Sequence, residues 1–191
     1  MNIGKLFVIS APSGAGKTSL VNAVLPHFQN KNLNKLITYT SKKPRIGEIP
    51  DKDYHFLSKE EFEYKLSQNF FIEWSNSYGN YYGSPNSIIN ELKESKSYIS
   101  ILDIAGAQNV KAKVPDSILI WIDVDIKELE KRLVSRNSET VEEINKRLDI
   151  AKSEIISHDI KKNIFNYNIK NEDFSAAVAC LKSIIISELN K

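Results

Sequence analysis

What this sequence lacks narrows its chemistry. It has one cysteine, Cys180, so no disulfide can form within the chain. Cys180 lies in an apolar-periodic segment and is expected to be a small core residue. The three histidines (His27, His55, His158) are scattered, and with a single cysteine they supply no zinc-ligand spacing. Net charge is only +2 in 191 residues, so no strong field marks a nucleic acid or a membrane surface as partner. No apolar run approaches the roughly 20 residues of a membrane span, and no repeat or low-complexity linker breaks the chain. With 41% hydrophobic and 26% charged residues, the composition is that of a globular protein with one core.

What is present begins at the amino end. Leu6 to Ile9 is an apolar run that reads as a buried parallel strand. It enters a small-residue loop, Ala11 to Gly16, and Lys17-Thr18-Ser19 opens an apolar helix. Strand, glycine-containing loop and helix are the context of a phosphate-binding loop. Backbone N–H groups of such a loop turn inward, and the helix adds its unpaired N–H groups and positive dipole end. Lys17 would reach the β- and γ-phosphates of a nucleotide and the Thr18 hydroxyl would hold Mg²⁺. The first motif position is Ala11 rather than glycine, which a negative φ tolerates. The bland alternative is a turn with a solvated lysine. A cleavable leader would destroy the motif, so none is expected and the cytosol is the expected compartment.

Beyond the loop, strands alternate with helices, which implies an α/β fold with a parallel sheet flanked by helices. Helices are expected over 17–28, 85–94, 106–113, 126–136, 139–157 and along the stripe Phe174, Ala177, Val178, Leu181, Ile185, Leu189. Strands are expected at 36–40, 98–103, 118–124 and 165–169. The segment from Pro50 to Asn86 differs. Its dense aromatics, a helix over 59–69 and a turn at Gly79-Asn80 suggest a small, largely antiparallel insertion.

Four groups carry candidate chemistry. Asp103 ends an apolar strand, where a phosphate-loop protein places a carboxylate toward Mg²⁺; a helix cap is the alternative. Arg132, Arg136 and Arg147 lie on two consecutive helices, where they either steady a transferring phosphoryl group or pair with neighbouring glutamates. Glu73 sits in the apolar stretch Phe70 to Trp74. Guanine offers such a carboxylate two donors on one edge, whereas adenine N1 would face it as an acceptor; an edge-strand glutamate turned to water is the alternative. Lys42 and Arg45 with Tyr54 and Tyr82 could surround a second phosphate, and the tyrosines could equally form an aromatic cluster.

Together Ala11-Pro-Ser-Gly-Ala-Gly-Lys-Thr-Ser19, Pro44-Arg-Ile-Gly-Glu48, Asp53-Tyr54, Phe71-Ile-Glu-Trp74, Gly79-Asn-Tyr-Tyr-Gly-Ser84, Ile101-Leu-Asp-Ile104 and Glu143-Ile-Asn-Lys-Arg147 resemble guanylate kinase, in that family's order and over nearly the whole chain. The resemblance implies Mg²⁺-dependent phosphoryl transfer from ATP to GMP, and to dGMP. It implies a core (1–35, 97–128, 149–191), a small mixed GMP-binding insertion (36–96) and a helical lid (129–148). By matching positions, Ser13, Gly14, Ala15, Gly16, Lys17, Thr18 and Ser19 would take ATP, with Asn171 on the adenine side. Thr38, Glu73 and Ser84 would read guanine; Lys42, Arg45, Tyr54 and Tyr82 would hold the GMP phosphate. Lys17, Arg132, Arg136 and Arg147 would serve the transfer, and Thr18 and Asp103 the metal. Nucleic acid and membrane are not implied as partners; a monomer or homodimer is.

Three positions depart from that family's pattern. Lys42 stands where arginine is usual, so a bidentate contact becomes a point charge. Asp103-Ile-Ala-Gly-Ala-Gln108 is shorter than the usual run and lacks its second acid. Asn137 replaces a glycine after Arg136. A non-catalytic binding module of the same fold and a kinase for a sugar phosphate are the competing functions. Lys17 with its intact loop argues against the first, Glu73 and Tyr82 against the second.

Overall fold

Strand β1 (Leu6–Ser10) is buried at all five residues because it has strands on both sides and helices on both faces. In the computed structural model, which describes residues 3–29, 31–45, 47–77, 79–135 and 140–191, β1 is the centre of a five-stranded sheet. Its companions are β2 (Leu33–Lys35), β7 (Ser97–Ile101), β8 (Ile118–Asp123) and β9 (Tyr167–Lys170), in the order β2-β7-β1-β8-β9. Every pairing is parallel. Side chains alternate between faces along a strand. Phe7 and Ile9 therefore join one core with Leu20, Val24, Ile120 and Leu181, while Leu6 and Val8 join another with Ile88, Leu92, Val110 and Leu119. This two-faced burial is why β1 and β8 read as unbroken apolar runs. The α/β expectation holds.

The other helices are α1 (Lys17–Val24), α3 (Ile88–Lys93), α4 (Ile104–Lys113), α5 (Ile126–Ser135), α6 (Val141–Lys161) and α7 (Phe174–Leu189). Pro26 sits in the 3-10 turn Leu25–Phe28 that ends the first of them. Two corrections concern α7. It buries Ala177, Leu181, Ile185 and Glu188, a narrow stripe at spacings of four and three residues that faces α1 and β9. Cys180 lies off that stripe and is exposed, not core, and Phe174 is exposed as well. An apolar helix does not reveal from its own sequence which face the sheet covers.

A second, four-stranded sheet carries β3 (Thr38–Thr40), β4 (Tyr54–Phe56), β5 (Phe71–Ser77) and β6 (Asn80–Pro85), ordered β4-β3-β6-β5, with helix α2 (Lys59–Ser67) against it. The β3–β4 pair is parallel and the other two are antiparallel. The expected strand over 36–40 shortens to β3, and the three residues of β2 just before it belong to the other sheet. Residues 33–35 pair with β7, the N–H of Leu36 donates to the carbonyl of Ile99, and 38–40 belong to the second sheet. Helix α2 starts at a capping box in which Ser58 and Glu61 each satisfy the other's backbone N–H. Phe62 stacks on both Phe71 and Tyr81, which fastens α2 to the sheet. A bulge between Phe71 and Glu73 lets three consecutive β5 residues be buried. Ile72 enters the core beside Leu36 and Leu102, and Glu73 turns to the site.

Candidate functional site

The phosphate loop hangs between β1 and α1. Gly14 and Gly16 have φ of +86° and +90°, a conformation in which L side chains are strained. A Cβ on Gly14 would also come within 2.9 Å of Leu129 Cδ1. Among the described non-glycine residues those with positive φ are Asn32, Asp51, Asn69 and Ser95, so Ala11 fits its position without strain. Thr18 and Ser19 are exposed at the start of α1. Lys17 folds back and donates to the carbonyls of Ala11 (2.6 Å) and Pro12 (3.3 Å). Lys17 is only half-buried, but its ammonium is drawn beneath the loop. Desolvation there lowers its pKa, and the charges of Glu154 and Asp103 oppose that lowering.

Other elements close on this loop. From α6, Arg147 Nη2 donates to Ser13 Oγ at 3.4 Å, while the Ser13 N–H donates to Glu154 Oε2 at 2.7 Å. Asn171, just past β9 and 1% exposed, donates from Nδ2 to the carbonyl of Ala15 at 2.8 Å. Its Oδ1 is buried with no hydrogen-bond partner. Arg132 donates to Glu128 Oε1 (3.1 Å) and to the carbonyl of Asn171 (2.6 Å), so it ties α5 to the end of β9. Arg136 lies outside the described residues, as does Asn137.

The second sheet assembles the other candidates. Lys42 Nζ is 2.5 Å from Glu48 Oε2 and lies 4.6 Å from the Tyr54 ring centroid. The Arg45 N–H also donates to Glu48, and the Arg45 side chain is exposed. Tyr54 and Tyr82 meet edge to face at 6.3 Å. Burial, then the neighbouring Tyr82 and Glu48, push the Tyr54 hydroxyl up to about 12, so it is a donor at neutral pH. These four residues form one cluster with the Glu48 carboxylate beside it.

Glu73 and Ser84 are opposite each other in the β5–β6 register. Ser84 Oγ donates to Glu73 Oε1 at 2.6 Å, and Thr38 is buried nearby in the same sheet. Glu73 is 3% exposed. Burial raises its pKa from 4.5 to about 7; the Ser84 bond opposes the rise and the charge of Asp103 adds to it. Asp103 caps α4 through the Gly106 N–H (2.7 Å) and accepts from the hydroxyls of Ser75 (2.8 Å) and Ser77. It thus ties the parallel sheet to β5. A Cβ on Gly106 would lie 3.0 Å from Glu73 Oε2, so the start of α4 forms the wall facing that carboxylate.

Sequence reasoning missed Glu154 as a site residue. A signal existed: Glu154 follows Arg147 by seven residues, two turns of one helix, so both share a face. It also missed Glu48 as the partner of Lys42.

A glycine phosphate loop at the head of a parallel sheet, faced by a mixed sheet with its own cationic and carboxylate cluster, defines a P-loop kinase architecture. The Guanylate kinase family model matches residues 3–188. A guanylate kinase of Shewanella violacea is 40% identical over 189 residues, covering 97% of this chain and 88% of that protein. One of Clostridium perfringens is 38% identical, covering 98% and 85%. The crystal structure of guanylate kinase from Anaplasma phagocytophilum superposes with a TM-score of 0.80 at 27% identity, covering all of this chain and 88% of that one. The chain belongs to the guanylate kinase family.

Proposed function

We propose a division of labour among these residues for the ATP-dependent phosphorylation of GMP to GDP that the family performs. The observation that carries it is Glu73, a buried carboxylate that accepts from the Ser84 hydroxyl. It faces the wall of α4 as an acceptor, and guanine's N1–H and N2 amino group are the donors that complement it. Adenine in that place would leave Glu73 opposite an acceptor. Ser84 and Thr38 supply the remaining polar contacts to the base. Lys42, Arg45, Tyr54 and Tyr82 hold the acceptor phosphate, with Lys42 acting as a point charge rather than a fork.

On the donor side, the backbone from Ser13 to Ser19 and the Lys17 ammonium take the ATP phosphates. The orphan Asn171 Oδ1 is the acceptor for the adenine amino group. Arg147 already reaches the loop, and with Arg132 and Arg136 it steadies the transferring group. An acceptor phosphate oxygen attacks the γ-phosphorus in line and ADP leaves; the protein contributes position and charge. Mg²⁺ suits this site. Thr18 offers an exposed hydroxyl and Asp103 retains lone pairs beyond its three donors, which is enough for an ion carried mainly by substrate phosphates and water. Bound there, it would neutralise charge between the β- and γ-phosphates. Residues 36–96 serve as the acceptor region and 129–148 as the lid. dGMP is a second acceptor, because no base-edge or phosphate contact in this assignment calls on the 2′-hydroxyl. No helix of the described residues is long and apolar enough to cross a membrane.

The test is ADP formation from Mg-ATP with GMP, AMP, CMP and UMP offered separately. Turnover with GMP alone is expected; equal turnover with AMP would overturn the role of Glu73. GMP affinity should also depend on pH. Only ionised Glu73 accepts both guanine donors, and its pKa in the protein without GMP is about 7. GMP affinity should be flat above pH 8 and fall toward about tenfold per unit below pH 6. Calorimetry near pH 6.5 should show proton release to buffer on GMP binding. No proton release would sink the assignment.

A further inference from the structure

Ser13 is gripped twice by α6. Arg147 donates to its hydroxyl, and its backbone N–H is donated to Glu154. Lys17, the loop's cation, feels the Glu154 charge more strongly than any other and is turned onto the carbonyls of its own loop. A carboxylate accepting a loop N–H beside the loop lysine presents the same chemistry as a terminal phosphate oxygen: an anionic acceptor at the mouth of an N–H cradle. The two cannot share one N–H in good geometry. Two charges of the same sign would also stand within a few ångströms.

We propose that Glu154 is a resident anion of the phosphate loop, holding its mouth in register while nucleotide is absent and displaced from the Ser13 N–H when ATP docks. This rests on the reading of residues 11–19 as the ATP phosphate site. Glu154 is therefore a positioning residue. It keeps the ammonium of Lys17 company in a desolvated place, and it competes with the ligand that replaces it. Glu154 lies seven residues beyond Arg147 on α6 and shares its face. Movement of that face couples ATP entry to the helix that continues from the lid.

The test is Glu154→Gln, which keeps an acceptor of the same length and removes the charge. ATP should bind roughly three- to tenfold more tightly, the effect of deleting one like charge near a protein surface. GMP affinity should not change, which also shows that the fold is intact. Unchanged or weaker ATP binding would overturn the proposal, since a residue that only braces the loop cannot improve affinity when its charge is removed. A second measurement needs no variant. In a crystal structure of the unsubstituted chain with Mg²⁺ and a non-hydrolysable ATP analogue, the Ser13 N–H should have left Glu154. Retention of that hydrogen bond beside a bound γ-phosphate would refute displacement. If the unsubstituted chain bound no ATP at all, the phosphate-site reading would be the one that fails.

Discussion

Lys17→Ala should leave a folded chain whose turnover with ATP and GMP is lost by on the order of a thousandfold or more, the scale of removing one preorganised charge from a dry phosphoryl-transfer site. The fold should survive. The ammonium's two partners are carbonyls of its own loop, and burial already disfavours its charge, so about 1 kcal/mol of stability is at stake. The check is kcat with saturating GMP, paired with a thermal melt. Undiminished activity would remove Lys17 from the mechanism. A collapsed melt would show that the loop depends on the lysine as a strut.

Glu73→Gln should separate function from stability. The amide keeps one acceptor for Ser84 but turns an N–H₂ toward a base edge that itself donates, so kcat/KM for GMP should fall at least about a hundredfold while ATP affinity holds. The same variant should be more stable at neutral pH. The carboxyl of Glu73 has its pKa raised from 4.5 to about 7. The folded protein therefore binds a proton that the unfolded chain releases throughout that window. The cost of the buried charge is zero below about pH 4.5, grows through the window, and reaches about 3 kcal/mol above pH 7. Denaturant melts of both proteins at pH 8 and pH 5 measure it. A gap that widens toward pH 5 would have the wrong sign and would contradict the buried, ionisable site.

The parallel core was legible because its signals are local. The apolar runs at 6–9 and 118–124, the glycines of the loop and the lysine after them lie within a few residues of one another. The carboxylate of Glu73 was legible too, because a charge among Phe70, Phe71, Ile72 and Trp74 needs a reason. The split at Leu36–Ile37 was not legible. An apolar pentapeptide cannot announce that its two ends pair with different sheets, a choice made by strands β7 and β6 more than 40 residues away. The same limit hid Cys180, since α7 is apolar on more faces than the sheet can cover. Asp103 was read as a strand-end acid, and its helix cap was foreseen as the alternative. Its tie to Ser75 and Ser77 depends on a contact between two sheets that spacing does not encode. Glu154 was hidden for the opposite reason: on a helix full of charges, its seven-residue spacing from Arg147 is a weak signal among many.

The two tryptophans of the chain sit in opposite surroundings. Trp121, on β8, is 1% exposed and stacked on the His158 ring at 4.2 Å. Trp74, next to Glu73 on β5, is 45% exposed and meets Tyr81 edge to face. An indole sealed in a dry core and another bathed in water emit at different wavelengths and differ in access to a soluble quencher. The protein therefore carries an unlabelled optical channel for each of its two sheets. Quenching by acrylamide reports on the four-stranded sheet through Trp74, and the buried emission of Trp121 reports whether the parallel core stays closed meanwhile.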